Sequence, residues 1–373
     1  MKILSGLRAA AALGLLCTLA GCGSAAHPTP CAATGGTCVL QHFVFATTNA
    51  NQVLLFPLQQ NGALGAPNVL QPAPSVPLGI AISPPSRELF VADHGADTLY
   101  AYIPGSNAYT SAPGSPYALG SNAGPLESVT ATDDGKFVYI VGLSGGIFGF
   151  SIGSNGQLTP IAGSPFAAPS QLVGSVTDKS DKLMFAMSGT SISVFTIDAS
   201  SGALTLSVPS FPLTGTNLAT VGMAATTPGN FLYVALSGAN AVGAYSFDAS
   251  TGALTQVSGS PFPAGRTPLS LTATANALYV ANTQDQTISG FAWDSTTGVL
   301  TQISGSPFVA GSVGGMMATF SGQYLYVPSI QHVSSPQVNA ILGFSIASSG
   351  TLTPIAGSQF SSNASLNGGL VAF

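Results

Sequence analysis

Short aromatic and β-branched runs recur along this chain, each bounded by Gly, Asn, Asp or Ser. Phe137-Val138-Tyr139-Ile140-Val141, Phe231-Leu232-Tyr233-Val234-Ala235, Ala277-Leu278-Tyr279-Val280-Ala281 and Tyr324-Leu325-Tyr326-Val327 are the clearest. Their shortness, residue types and turn-forming borders predict strands rather than helices. Each belongs to a set of four strand types. A small apolar strand, such as Leu78 to Ser83, comes first and the aromatic run second. The third alternates apolar and polar positions, as in Ile192-Ser193-Val194-Phe195. The fourth follows a turn, as across Asp198 to Thr205, Asp248 to Thr255 and Asp294 to Thr301. Period-two alternation in the second and third strands suits sheets stacked face to face.

The sets repeat. Gly114-Ser115-Pro116-Tyr117, Gly163-Ser164-Pro165-Phe166, Gly259-Ser260-Pro261-Phe262, Gly305-Ser306-Pro307-Phe308 and Gly357-Ser358-Gln359-Phe360 share one marker, with a degenerate copy at Val208-Pro209-Ser210-Phe211. The marker aromatics are spaced by 49, 45, 51, 46 and 52 residues. Four-stranded units at such a period are blades of a β-propeller, with Tyr and Phe filling the wedges between blades. The marker proline suits an outer sheet edge, where a missing N–H breaks no ladder. Six blades carry the marker. A further first unit, about His42 to Pro74, supplies three strands, and its missing innermost strand is found at Gly369 to Phe373. The pattern therefore predicts an all-β, seven-bladed propeller of four-stranded antiparallel blades. Its ring is closed by the C-terminal strand joining the N-terminal blade.

Composition narrows the function classes. Only 19 of 373 residues are charged, 7 basic and 12 acidic, and Gly and Pro number 45 and 26. Ordinary soluble domains carry about 25% charge, so a coiled coil or a charged disordered chain is excluded. An acidic chain without a basic stripe is not built for nucleic acid. No cofactor is expected.

The N-terminus reads as a secretion signal. Lys2 and Arg8 give a basic start, Ala9 to Leu16 a short apolar stretch, and Leu19-Ala20-Gly21-Cys22 matches the lipobox of bacterial lipoproteins. The apolar run is too short to span a bilayer. The expected organisation is a signal peptide over 1–21, lipidated Cys22 and a flexible spacer over 22–39, and the propeller over 40–373. The address is then the bacterial cell envelope, lipid-anchored and facing an extracytoplasmic space, with the membrane as one partner. Cys31 and Cys38 read as a disulfide in an oxidising compartment. The alternative is a metal site with His27 and His42, which has few ligands, and no metal is expected.

The combination Leu-Tyr-Val-Ala, Ile-Ser-Gly-Phe, Thr-Gly-Val-Leu-Thr and Gly-Ser-Pro-Phe, present at 278–281, 288–291, 297–301 and 305–308, resembles the lactonase-like seven-bladed propellers. That group includes propeller-type 6-phosphogluconolactonases and surface-layer YVTN-repeat proteins, and the likeness spans about residues 40–373. It implies His, Arg and acidic side chains at the starts of the innermost strands, facing the central channel. The corresponding segments here hold one ionisable residue, Glu127 in Leu126-Glu127-Ser128-Val129.

Glu127 is therefore the first candidate general base or ligand group. Asp93, His94 and Asp97 share a turn of the second blade, where Asp and His could form an acid/base pair or contact a ligand. The same residue types are also ordinary turn formers. Arg266 precedes an innermost strand and could present its guanidinium to a carboxylate or phosphate. His332 lies in the long Ile330–Asn339 insertion, a position suited to binding. Three functions follow from these residues. The first is a ligand-, glycan- or protein-binding module on the envelope, using Asp93, Asp97 and His332. The second is a lactone hydrolase using Glu127, Arg266 and His94. The third is a structural coat component.

Overall fold

The computed structural model describes residues 42–373 except 106–107, 121–122, 145, 170, 214–219, 227, 311–312, 314–316, 319–320 and 331–338. Every regular element among the described residues is a strand, and these form seven antiparallel sheets. In each blade, strand a lines the ring axis and strand d lies outermost. Strand a of blades 2 to 7 is, in order, Pro77–Ile82, Leu126–Ala131, Gly174–Thr177, Thr220–Thr226, Pro268–Ala273 and Met317–Ala318. In the first blade, Asn68–Val69, Val53–Leu58 and His42–Thr48 are completed by Leu366–Ala372 from the far end of the chain. The predicted closure is present, with Val44 opposite Ala372 and Phe45 opposite Val371.

The apolar core is divided into seven clusters, one in each interface between adjacent blades. The alternation of strands b and c explains this, since both faces of every blade meet a neighbour. One strand b tyrosine is fully buried in each of four of these interfaces and ties its blade to the next. The Tyr139, Tyr233, Tyr279 and Tyr326 hydroxyls donate to the carbonyls of Gly202, Gly298, Gly350 and Gly62, at 2.7, 3.0, 2.8 and 2.6 Å. Each acceptor sits in the c–d turn of the following blade, and the last of the four bridges blade 7 to blade 1. Burial pushes the Tyr279 phenol up to about 12, and the other three are raised for the same first reason.

The repeated marker has a different role from the one its proline suggests. It interrupts the outer strand instead of ending it. In blade 6, Leu300–Gln302 and Phe308–Val309 both pair with Thr287–Trp293, on either side of the Gly305-Ser306-Pro307 turn. The marker serine is the acceptor that keeps this break satisfied. Ser115, Ser164, Ser260, Ser306 and Ser358 Oγ each accept a strand c backbone N–H at 2.9 Å. Where the marker is degenerate, in blade 4, the outer strand runs unbroken over Leu204–Pro212.

At the seam, the Phe373 ring stacks on Phe45 at 6.4 Å, and the Arg87 guanidinium lies over the Phe373 ring, 4.8 Å from its centroid. His42 Nδ1 is 3.0 Å from the Phe373 carbonyl. The chain thus enters and leaves the ring on the face that carries the a–b and c–d turns, termed the lower face. The upper face carries the b–c turns and the d–a loops.

Candidate functional site

The innermost strands approach each other closely in the upper half of the channel because glycines stand where side chains would collide. A Cβ on Gly79 would lie 3.0 Å from Ser128 Cα, and one on Gly222 would lie 2.8 Å from Ser270 Cα. Below these contacts the channel widens into a cavity of about 670 Å³, to which all seven blades contribute lining residues. Only the ring axis is shared by all seven blades, so this cavity is the channel itself.

At the upper mouth the structure joins two candidates from different blades. His94 Nδ1, on the b–c turn of blade 2, lies 3.5 Å from Glu127 Oε1 at the start of strand a in blade 3. The side chains are 35% and 20% exposed, so both reach solvent. His94 Nδ1 also faces the Leu126 carbonyl at 3.4 Å. This is a partly buried imidazole–carboxylate contact open to the mouth, and such a pair can pass a proton.

Asp93 is placed differently. It is fully buried, and its carboxylate accepts four hydrogen bonds: Ser75 N–H at 2.6 Å, Ser75 Oγ–H at 2.8 Å, Val76 N–H at 2.9 Å and Gly95 N–H at 3.1 Å. It fastens the incoming d–a loop to the b–c turn and thereby holds His94 in place. Asp97 adopts a left-handed backbone (φ 49°), and its carbonyl accepts the Leu119 N–H at 3.0 Å.

Arg266 opens blade 6, three blades from Glu127, the widest separation a ring of seven permits. The structure does not bring it to the His94–Glu127 pair. Its Nε donates to Asp285 Oδ1 and its backbone N–H to Asp285 Oδ2, both at 2.7 Å, while 61% of the side chain stays exposed. The backbone N–H of Arg266, then its side chain, hold the Asp285 carboxyl below the usual carboxylate range. Asp285 was not among the candidates: it lies in the b–c turn of blade 6, three residues past Asn282, which is the residue that stands where Asp93 does in blade 2.

His332, Cys22, Cys31 and Cys38 lie outside the described residues. Among the described residues, no three His, Cys, Asp or Glu side chains gather as metal ligands would. No helix among them is long and apolar enough to cross a membrane.

The lower rim of the cavity carries the a–b turns Asp133-Asp134-Gly135 and Asp178 to Asp181, which read in the sequence as ordinary turn chemistry. Lys179 Nζ in blade 4 lies 3.1 Å from Asp133 Oδ2 in blade 3. The backbone N–H groups of Asp133 and Asp134 each donate to the Asp181 carboxylate at 2.8 Å. Burial raises the Asp181 carboxyl above its ordinary value, against those two bonds.

The ring, the blade order and the repeat define a seven-bladed β-propeller. The family described as lactonase, seven-bladed β-propeller, matches residues 191–317, about a third of the chain. A putative 6-phosphogluconolactonase from Bacteroides uniformis superposes with a TM-score of 0.70 at 17% identity, covering 89% of this chain and 99% of that one. A periplasmic gluconolactonase of Pseudomonas aeruginosa gives 0.68 at 16%, with the same two coverages. A functionally unknown protein from Desulfotomaculum acetoxidans gives 0.67 at 17%, again covering 89% and 99%. At such identities the likeness is one of fold. No curated protein sequence matches the chain.

Proposed function

We propose that this chain is a cell-envelope lipoprotein, anchored through Cys22, whose propeller is a binding module for a glycan, small molecule or envelope protein. The address rests on the Leu19-Ala20-Gly21-Cys22 motif behind a short apolar stretch. The binding reading rests on one observation: at the upper mouth Asp93, Arg266, His94 and Glu127 are committed to neighbours. Asp93 is spent on four loop hydrogen bonds, Arg266 on Asp285, and His94 on Glu127. Arg266 also stands across the ring from the His94–Glu127 pair, so the three do not converge on one reacting atom. A propeller mouth so furnished presents fixed polar groups to a partner, which is what recognition needs.

A second reading, hydrolysis of a sugar or related lactone, is favoured by the His94–Glu127 contact. There Glu127 would serve as general base toward water, oriented by His94, at a mouth open to solvent. The printed names of two structural neighbours, a putative 6-phosphogluconolactonase and a periplasmic gluconolactonase, agree with that chemistry. The second is named as periplasmic, which agrees with an extracytoplasmic address.

The deciding experiment is a panel of sugar and aliphatic lactones offered to the full chain and to Glu127→Gln. The binding reading expects no turnover above the spontaneous rate from folded protein. Turnover that falls at least about 100-fold in Glu127→Gln, the scale of a lost general base, would overturn it in favour of the hydrolase.

A further inference from the structure

We infer that the lower half of the channel is a second binding site, on the face opposite the His94–Glu127 pair, and that it takes a neutral polyhydroxylated molecule of mono- or disaccharide size. The cavity volume, about 670 Å³, falls within the range of small-molecule sites, about 300–1,000 Å³.

Its wall chemistry selects the class. Hydroxyls of Thr130, Ser175, Thr177, Thr272 and Thr274 line it from three blades, interleaved with aliphatic side chains including Ile80 and Ile82. Sugars present the same mixture, hydroxyls around the ring edge and C–H groups on its faces. Among the described residues, the only titratable ones in the lining are Asp133 and Lys179, and they neutralise each other at 3.1 Å. A phosphorylated or carboxylated ligand would find no uncompensated cation in this wall. Part of the hydroxyl array is already organised across blades, since Thr130 Oγ1 donates to the Ser175 carbonyl at 3.0 Å and lies 2.8 Å from Ser175 Oγ. Residues of the a–b turns, Pro84, Asp133, Lys179 and Gly322, form part of the wall, so the ligand enters from the lower face.

The protein carries its own reporter. The chain has one tryptophan, Trp293, and its indole N–H donates to the carbonyl of Thr274, a wall residue, at 3.3 Å. Titration of the full chain in a non-glycosidic detergent with D-glucose, N-acetylglucosamine and maltose, followed by Trp293 fluorescence and calorimetry, tests the site. At least one neutral sugar should shift the emission saturably. Thr272→Val, which keeps side-chain shape and removes a hydroxyl, should weaken that sugar about five- to tenfold. Ser175→Ala should weaken it comparably, with circular dichroism confirming the fold of both variants. The inference is overturned if folded protein gives no saturable response to any of the three. It is overturned equally if 6-phosphogluconate binds in preference to them, or if both variants bind as the parent does. A response lost in Glu127→Gln and kept in Thr272→Val would put the ligand at the upper mouth, so this inference and the reading of that mouth fail separately.

Discussion

Removing one blade-to-blade tether should lower stability by a definite amount. In Tyr279→Phe the ring stays in its wedge, fully buried between blades 6 and 7, and only the hydroxyl is lost. That hydroxyl donates to the Gly350 carbonyl at 2.8 Å in a buried setting. The substitution leaves a buried acceptor with one bond fewer, a change worth about 1–2 kcal/mol. Unfolding entropy of about 2.1 cal/mol/K per residue over the roughly 330 residues of the ring gives about 0.7 kcal/mol/K. The melting midpoint should therefore fall by about 1.5–3 °C, read by scanning calorimetry at neutral pH. Tyr139→Phe and Tyr233→Phe lie in other interfaces and should behave alike. Pairs of these changes should add, because distant sites without shared partners are close to independent. Midpoints that do not move in any of the three variants would refute the argument that these hydroxyls couple neighbouring blades.

Two further outcomes follow from the same packing. Gly222→Ala places a Cβ 2.8 Å from Ser270 Cα and 3.1 Å from the Leu269 carbonyl oxygen. Both neighbours are backbone, so the change should cost about 1–3 kcal/mol and lower the melting midpoint, whereas an unchanged midpoint would show that the inner strands have room to part. In alkaline solution the buried tyrosines act through linkage: the folded phenol of Tyr279 is raised to about 12 from an ordinary 10. The folded state therefore holds its proton more tightly, so this stability is intact below about pH 10 and is lost as pH rises toward 12; a denaturation midpoint that stays flat from pH 9 to 12 would contradict it.

The ring was legible because it is written by repetition. The Leu-Tyr-Val-Ala runs and the Gly-Ser-Pro-Phe marker recur in phase, and the missing innermost strand of the first unit is visible at the C-terminus. The partners of the repeated residues were less legible. Tyr279 reads as a wedge aromatic, but its acceptor, Gly350, lies 71 residues away in the next blade's turn. The marker serine reads as part of a turn, and only the strand c N–H it accepts shows why Ser recurs. The candidate site was legible residue by residue and not as a constellation. His94 and Glu127 stand 33 residues apart, on different blades, and meet because successive blades are set at an angle around one axis. Asp93 in a turn can bind a ligand or staple a loop, and no local pattern decides between them. The cavity hydroxyls carry no signature in the sequence because Ser and Thr are abundant throughout the chain, and only their placement at the lower ends of the inner strands sets these apart.

The seam between Leu366–Ala372 and His42–Thr48 has a mechanical meaning. A chain held by anything upstream of His42 is loaded along the axis of that strand, which has partners on both sides. Residues 42–47 pair with 53–58 on one edge, and residues 44–48 pair with 366–372 on the other. Tension from a tether then acts in shear, and several ladder hydrogen bonds must fail together before the first strand slides. The Phe373 ring, in contact with both Phe45 and Arg87, is the latch at the end of that slide. Closing the ring with the last strand thus places the strongest grip on the strand that would carry the load.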